Sequence, residues 1–288
     1  MTSDRGVALV TGTSSGIGLA VAVAAAAAGF TTVATVRRPE RAEALRAAAD
    51  RAGVALDVRR LDVTDADSVA DCLDAVRRVY GRLDAVVNNA GVSNSDPTLE
   101  MSTAAALRAN LEVNFFGVVE VSRAAMPLLR AAGGRLVTIG SVHGVVGQPF
   151  NEAYCAAKFA VEGFMESLAP VAAAHGVRVS VVVPGFVPDT SFGVFPDIDR
   201  TTVRAASGPY ADTFTDYVDR LGRGWEAAGQ PAREVAGVVV RTLLAERPAF
   251  RVPTTAWAAA YLDRKLADRD GSTVQTLAHG WIGRPDLS

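Results

Sequence analysis

Short runs of branched and apolar residues alternate along this chain with longer, Ala-rich stretches. The runs at Val7–Thr11, Thr31–Val36, Ala55–Arg60, Ala85–Asn88, Arg135–Ile139, Val177–Val183 and Phe250–Val252 read as strands. Helical patterns lie between most of them, at Gly16–Ala28, Pro39–Ala52, Ala66–Tyr80, Thr103–Ala132, Ala153–His175 and Arg233–Glu246. Strands that are nearly uninterrupted Val, Leu and Ile are buried on both faces, as a parallel sheet requires. The alternation predicts an α/β, doubly wound, mostly seven-stranded parallel sheet with helices on both faces, in a single domain over residues 1–270.

The region from Phe186 to Gln230 breaks the alternation. It carries Phe192, Phe195, Tyr210, Phe214, Tyr217 and Trp225 among Gly and Pro, with no strand pattern. Long irregular insertions are functional or disordered, and the aromatics argue against disorder. It is read as a partly helical lid over a pocket, spanning 186–230, with an oligomer contact as the alternative. The tail from Gly271 to Ser288, which holds Trp281, either closes a neighbouring site or packs on its own domain. The apolar run Leu19 to Ala28 is too short to span a bilayer and comes after a strand pattern, so it reads as a buried helix; no membrane association is expected.

Composition narrows the classes further. The chain has 288 residues and a net charge of −2, with no Lys/Arg cluster and no interleaved aromatics, so nothing in it suits nucleic acid. Cys72 and Cys155, the only cysteines, make no disulfide framework and lack metal-ligand spacing. A reducing cytoplasm fits, and no metal is expected.

Candidate chemistry begins where the first strand gives way to the first helix, at Thr11-Gly12-Thr13-Ser14-Ser15-Gly16-Ile17-Gly18. Glycines there permit a tight turn and close backbone approach, and the helix N-terminus presents unpaired N–H groups to a pyrophosphate, as in Rossmann-type dinucleotide sites. Ser14 and Ser15 add hydroxyl donors. The second strand is followed by Arg37-Arg38-Pro39 with no acid at its end. An NAD site places a carboxylate here and an Arg accommodates a 2′-phosphate, so NADPH/NADP+ is favoured over NAD(H). The plain alternative is two solvated arginines.

A second motif is Tyr154-Cys155-Ala156-Ala157-Lys158. Lys158 is one of only two lysines, the other being Lys265, and five tyrosines are present, so chance gives roughly 0.03 Tyr-x-x-x-Lys matches. On a helix, residues four apart share a face. An ammonium near a phenol favours the phenolate, which would bring Tyr154 toward general acid/base work. The plain alternative is a half-exposed Tyr beside a snorkelling Lys.

Taken together, the chain resembles the compact short-chain dehydrogenase/reductase family up to about residue 252, through Thr11-Gly12-x-x-x-Gly16-Ile17-Gly18, Asp62-Val63, Asn88-Asn89-Ala90-Gly91, Asn114, Ser141, Tyr154-x-x-x-Lys158 and Pro184-Gly185. The resemblance implies a catalytic set of Asn114, Ser141, Tyr154 and Lys158. Tyr154 would give the proton to a substrate carbonyl, and Lys158 would lower its pKa and hold the nicotinamide ribose. Ser141 would bond the carbonyl oxygen, and Asn114 would hold a water linking Lys158 to solvent. Asp62 and Val63 would meet the adenine, and Asn89, Ala90 and Gly91 would lie along its ribose. Pro184, Gly185 and Val187 would flank the nicotinamide.

The run Ser141 to Gly163, with Pro149-Phe150-Asn151 and Tyr154-Cys155, is similar to the estradiol-type hydroxysteroid and retinol dehydrogenase branch. It implies a bulky apolar ketone or alcohol as substrate, and His143, Gln148, Phe150, Phe186 and Phe192 are candidate pocket residues, His143 reading equally well as a structural loop residue. Where the family has Thr two residues past Val187, this chain has Asp189 followed by Thr190; either is open for the nicotinamide amide. Cys155 is expected to pack rather than react. The long helices at Thr103–Ala132 and Ala153–His175 resemble the family's dimer-forming pair, so a homodimer or homotetramer is expected. The rival reading is a catalytically silent NADP(H)-binding regulatory protein on the same fold. An extended-form epimerase or dehydratase would need another glycine spacing and a larger C-terminal domain.

Overall fold

All seven expected strands join one sheet in a computed structural model that describes residues 5–93, 98–190, 200–225, 229–266 and 268–272. They are β1 (Val7–Val10), β2 (Thr31–Val36), β3 (Leu56–Arg60), β4 (Ala85–Asn88), β5 (Arg135–Ile139), β6 (Arg178–Val183) and β7 (Arg251–Pro253). Every pairing is parallel, in the order β3-β2-β1-β4-β5-β6-β7. The helices are α1 (Gly16–Ala27), α2 (Glu43–Ala52), α3 (Ala66–Tyr80), α4 (Ala104–Leu111), α5 (Gly117–Ala132), α6 (Glu152–Ala173), α7 (Arg200–Ala206), α8 (Ala211–Trp225), α9 (Ala232–Leu244) and α10 (Ala256–Asp263).

Alternation along each strand builds two cores, because successive strand side chains point to opposite faces. Leu9, Val86 and Leu136 join residues of α3, α5 and α6 such as Val69, Val121 and Met165. Ala8, Val10, Val87 and Val137 join Val21 and Ala25 of α1 and Val235 and Val239 of α9. Strand order reverses between β1 and β4, and the crevice beyond the carboxyl ends of strands at such a reversal is where this architecture takes ligands.

Two expected helices are divided. Pro39–Arg41 is a separate tight turn ahead of α2. The stretch expected as one helix over Thr103–Ala132 widens at Glu112–Phe116 into a π-type turn between α4 and α5. Such a turn keeps the apolar rhythm while re-aiming a side chain, and it often sits at functional sites; here it carries the fully buried Asn114. After β6 the chain forms α7 and α8 before α9. Phe192 and Phe195 lie outside the described residues, as does the tail beyond Ser272.

Candidate active site

The glycine-rich turn is shaped by near contacts that a side chain would not survive. A Cβ on Gly12, at φ +69°, would lie 2.7 Å from Ala90 Cα, and one on Gly18 would lie 2.3 Å from the Gly12 carbonyl oxygen. Gly16, at φ +56°, faces Thr190 Cγ2. The turn is stitched to its neighbours by polar groups. Thr11 Oγ1 accepts from the N–H groups of Asn89 (2.9 Å) and Ala90 (3.0 Å), and Asn89 Nδ2 donates to the carbonyls of Thr11 and Gly12. Thr13 is buried and donates its hydroxyl to Thr35 O (3.1 Å). Thr13, expected at the cofactor, thus braces the turn against β2 instead of lining the cleft, because its side chain points into the sheet.

Ser14, Ser15, Gly16, Ile17, Gly18, Arg37, Asp62, Val63, Ala90, Gly91, Pro184, Gly185 and Val187 all line one cleft of about 650 Å³ with Gly12 and Asn89, and the same cleft reaches Ser141, Tyr154 and Lys158. Arg38 does not line it. Burial raises the Asp62 carboxyl, but hydrogen bonds from the Thr64 N–H and hydroxyl, with Arg37 and Arg60 nearby, outweigh that and hold it below the usual carboxylate range. An ionised carboxylate and a guanidinium therefore stand together at the end of β2 and β3.

The Ser-Tyr-Lys corner forms where α6 passes the end of β5. Ser141 Oγ accepts from His143 N–H (3.1 Å), which fixes the short turn Val142–Gly144, and the Ser141 hydroxyl stands beside the Tyr154 phenol, where it favours the ionised form. That turn presses closely on α6, since a Cβ on Gly144 would lie 2.9 Å from Lys158 O. Lys158 is 6% exposed and donates from Nζ to Ile139 O (2.8 Å), lying 5.7 Å from the Tyr154 ring centroid.

The expected lowering of the Tyr154 pKa by Lys158 is not what this geometry produces. Burial pushes the phenol up to about 12, with Ser141 pulling it back, while burial brings the Lys158 ammonium down to about 8. The ammonium sits over the ring and is bonded to a carbonyl, so desolvation outweighs their mutual effect. Asn114 completes the corner at one remove. Its Oδ1 accepts from Val92 N–H (3.0 Å), and its Nδ2 donates to Val92 O (2.9 Å) and Asn110 Oδ1 (2.8 Å), which pins the segment after Gly91.

Asp189 faces away from the cofactor end. Its carboxylate accepts from the Ala232 N–H at 2.9 and 3.1 Å, capping α9, a placement favoured by the partial positive charge of a helix N-terminus. Thr190 lines the cleft and donates to Val187 O (2.9 Å).

Of the expected substrate-pocket residues, His143, Gln148 and Phe186 line the far end of the cleft. Phe150 does not: it is 8% exposed and packs behind the wall against Phe214 and Tyr217, with ring centroids 5.3 Å apart in both cases. Its φ of +59° turns the side chain that way, a conformation a bulky residue adopts only when its surroundings impose it. Cys155 packs as expected, taking the Gln148 N–H on its sulfur (3.3 Å), and burial raises its thiol pKa. Two aromatics at this end are not anticipated by the sequence, and a third, Tyr217, belongs to the expected lid. Tyr217 of α8 and the stacked pair Trp257 and Tyr261 of α10 (5.0 Å, 15°) line it, with His143 edge-on to Tyr261. An aromatic i, i+4 pair just after the last strand, behind the cap Thr255, is the signal that could have found two of them.

Among known proteins, the short chain dehydrogenase family matches residues 6–194. Retinol dehydrogenase 8 of Bos taurus is 35% identical over 256 residues, covering 87% of this chain and 80% of the relative. Human 17-beta-hydroxysteroid dehydrogenase type 1 is 36% identical over 288 residues, covering 96% and 85%. A metagenomic short-chain oxidoreductase crystallised with NADP superimposes with a TM-score of 0.68 at 26% identity, over 88% of this chain and 98% of that one. With the parallel sheet and the cleft at its strand-order reversal, these likenesses agree: the chain belongs to the short-chain dehydrogenase family of oxidoreductases acting on alcohols and carbonyls, and is similar to its hydroxysteroid and retinol members.

Proposed function

We propose that the protein is an NADP(H)-dependent reductase of a bulky apolar ketone or aldehyde, or the corresponding alcohol dehydrogenase in reverse. The observation that carries this is a single cleft with a side-chain-free glycine cradle at one end, an aromatic wall at the other, and a phenol beside a serine between them. The space at Gly12, Gly16 and Gly18 and the N-terminus of α1 fit a dinucleotide pyrophosphate. Arg37, beside the ionised Asp62, offers a guanidinium to a 2′-phosphate, and the NADP-bound relative supports the same choice. When bound, a nicotinamide dinucleotide supplies or accepts the hydride.

The chain's own part is to orient the carbonyl and move a proton. Ser141 and Tyr154 both bond the carbonyl oxygen, and Tyr154 stays protonated across the neutral range, ready to donate. Lys158 places a positive charge beneath the ring and holds the ribose. Asn114 keeps the Val92 segment in place beside this corner. Retinol and 17-beta-hydroxysteroids, the alcohols in two relatives' names, are bulky and apolar, and Phe186, Tyr217, Trp257 and Tyr261 suit such a body. We read α7 and α8 as part of a lid over it. Exposed Phe116 and Phe159 beside the α5–α6 surface fit self-association as a homodimer or homotetramer.

The test is NADPH and NADH consumption with a panel of polycyclic ketones and quinones. Turnover with NADPH preferred is expected, and Tyr154→Phe should lower kcat at least a thousandfold while leaving NADPH binding by fluorescence titration within about threefold. Turnover retained in Tyr154→Phe sinks the assigned role. NADPH binding with no turnover anywhere in the panel favours the regulatory reading instead.

A further inference from the structure

One polar group stands out in the aromatic end of the cleft. Gln148 is 7% exposed, and its carboxamide is oriented by Asn151, whose Nδ2 donates to Gln148 Oε1 at 2.7 Å. With Oε1 engaged, Nε2 is the end left over. Among the described residues this buried nitrogen meets no hydrogen-bond partner in good geometry. The loop that carries it is fixed, since Gln148 N–H bonds Cys155 Sγ next to Tyr154. The Tyr217 hydroxyl of α8 lies beside the amide, close enough for the two to interact though not in good hydrogen-bond geometry, and burial outweighs that contact and keeps the phenol protonated and able to donate. Both side chains line the cleft that contains Tyr154.

A buried donor with no well-aligned acceptor is costly, and a site built around one rejects ligands that leave it empty. We propose that Gln148 Nε2 and Tyr217 form a donor subsite for a second oxygen on the substrate, so that the preferred ligand is a fused-ring ketone carrying a further carbonyl, hydroxyl or ether oxygen in addition to the reacting carbonyl. Tyr217 covers the amide, and its side chain turns aside to admit that oxygen. The inference rests on the reductase reading above and adds a chemical demand to it: apolar bulk fills the aromatic wall, while one acceptor atom sets the register of the ring system against Tyr154.

Two matched pairs of probes test this at short and long spacing between oxygens: 1-decalone against decalin-1,5-dione, and 5α-androstan-17-one against 5α-androstane-3,17-dione. Calorimetric titration of the full chain with NADP+ present reads binding apart from turnover. In at least one pair the dione should bind about tenfold or more tightly than the mono-ketone, about 1.4 kcal/mol. Gln148→Leu and the near-isosteric Gln148→Glu, which has no amide to donate, should both bring that ratio to about one. Retention of the cofactor affinity in both variants shows that they fold. Equal binding within both pairs, binding of none of the four, or a preference that survives in Gln148→Leu overturns the subsite. A preference lost on substitution, with no ketone ever reduced, keeps the subsite and overturns the reductase reading.

Discussion

Lys158 is buried and Tyr154 half-buried within one helical turn of each other, and desolvation moves them in opposite directions, the ammonium down to about 8 and the phenol up to about 12. A lysine whose folded pKa lies below its ordinary 10.5 is a cost to stability at every pH where both states are charged. The unfolded chain binds more protons between about 8 and 10.5, so this cost fades as pH rises through that window. Tyr154 has the opposite sign: the folded chain holds its proton between 10 and about 12, and its contribution is lost there as pH rises. Lys158→Met should therefore stabilise the protein at pH 7 by ~1–2 kcal/mol in urea unfolding, once the lost bond to Ile139 O is set against the relieved charge. That gain should shrink between pH 8 and 10.5, and activity should vanish. A Lys158→Met variant less stable than the parent at pH 7 would show that the buried charge carries no stability cost. Lys158→Arg keeps the charge, but a broad guanidinium does not fit a site closed by Gly144 and the Ile139 carbonyl; it should lose activity as well, which a purely electrostatic role does not predict.

At the scale of elements, the loop after β6 shows how one residue serves a helix and the cleft together. Asp189 caps α9 while its neighbour Thr190 meets Gly16. Asp189→Ala should cost ~1 kcal/mol, as lost N-caps do, lowering Tm by about 2–4 °C, and should raise the KM for NADPH because Thr190 is no longer held against the turn. Asp189→Asn should recover most of both; an unchanged KM in Asp189→Ala would separate the cap from the cleft. In sequence Asp189 reads as a departure from the family's Thr, because the backbone N–H it serves lies 43 residues away. The strands were legible for the opposite reason, since burial on both faces writes itself into every residue of β1 and β4 and all but the first of β6. The π-type turn at Glu112–Phe116 hid inside an unbroken helical rhythm, and Phe150 was misplaced because a positive φ leaves no trace in composition. The glycine turn, Ser141 and Tyr154-x-x-x-Lys158 were legible because each needs a particular residue at a particular end of an element. Trp257 and Tyr261 were not, because β7 is only three residues long and so short a pattern does not fix where α10 begins or which way it faces.

Across the whole molecule, the helix that carries Tyr154 and Lys158 is tied to β7 and to the segment at Asp268–Asp270 by a buried charge cluster. Arg251, at the start of β7 and 4% exposed, donates from Nε to Glu162 Oε1 (2.6 Å), reaches Glu166 Oε2 at 3.2 Å, and donates from Nη1 to Asp268 O (3.1 Å); its N–H bonds Asp270 O (2.9 Å). Glu162 lies one turn beyond Lys158 on α6. Burial raises its carboxyl pKa while Arg251 pulls it back. Removing one partner of such a pair strands the other, whereas replacing both with apolar residues is far cheaper. Arg251→Met should accordingly destabilise the chain by ~3–5 kcal/mol at pH 7. The deficit should shrink as pH falls, because the stranded Glu162 takes up a proton and its folded-state pKa lies above its unfolded one, so the neutral form is favoured at low pH. The double variant Glu162→Leu with Arg251→Met should return to within ~1–2 kcal/mol of the parent, giving a coupling energy larger than the exposed pairs Arg77–Asp74 on α3 or Arg123–Glu120 on α5 could supply. Guanidinium unfolding of the four chains of that cycle at pH 5 and pH 7 measures it. Additive losses, or a deficit that grows toward pH 5, would mean that β7 and α6 are held by their apolar contacts alone and that the cluster is incidental to how α6 is anchored.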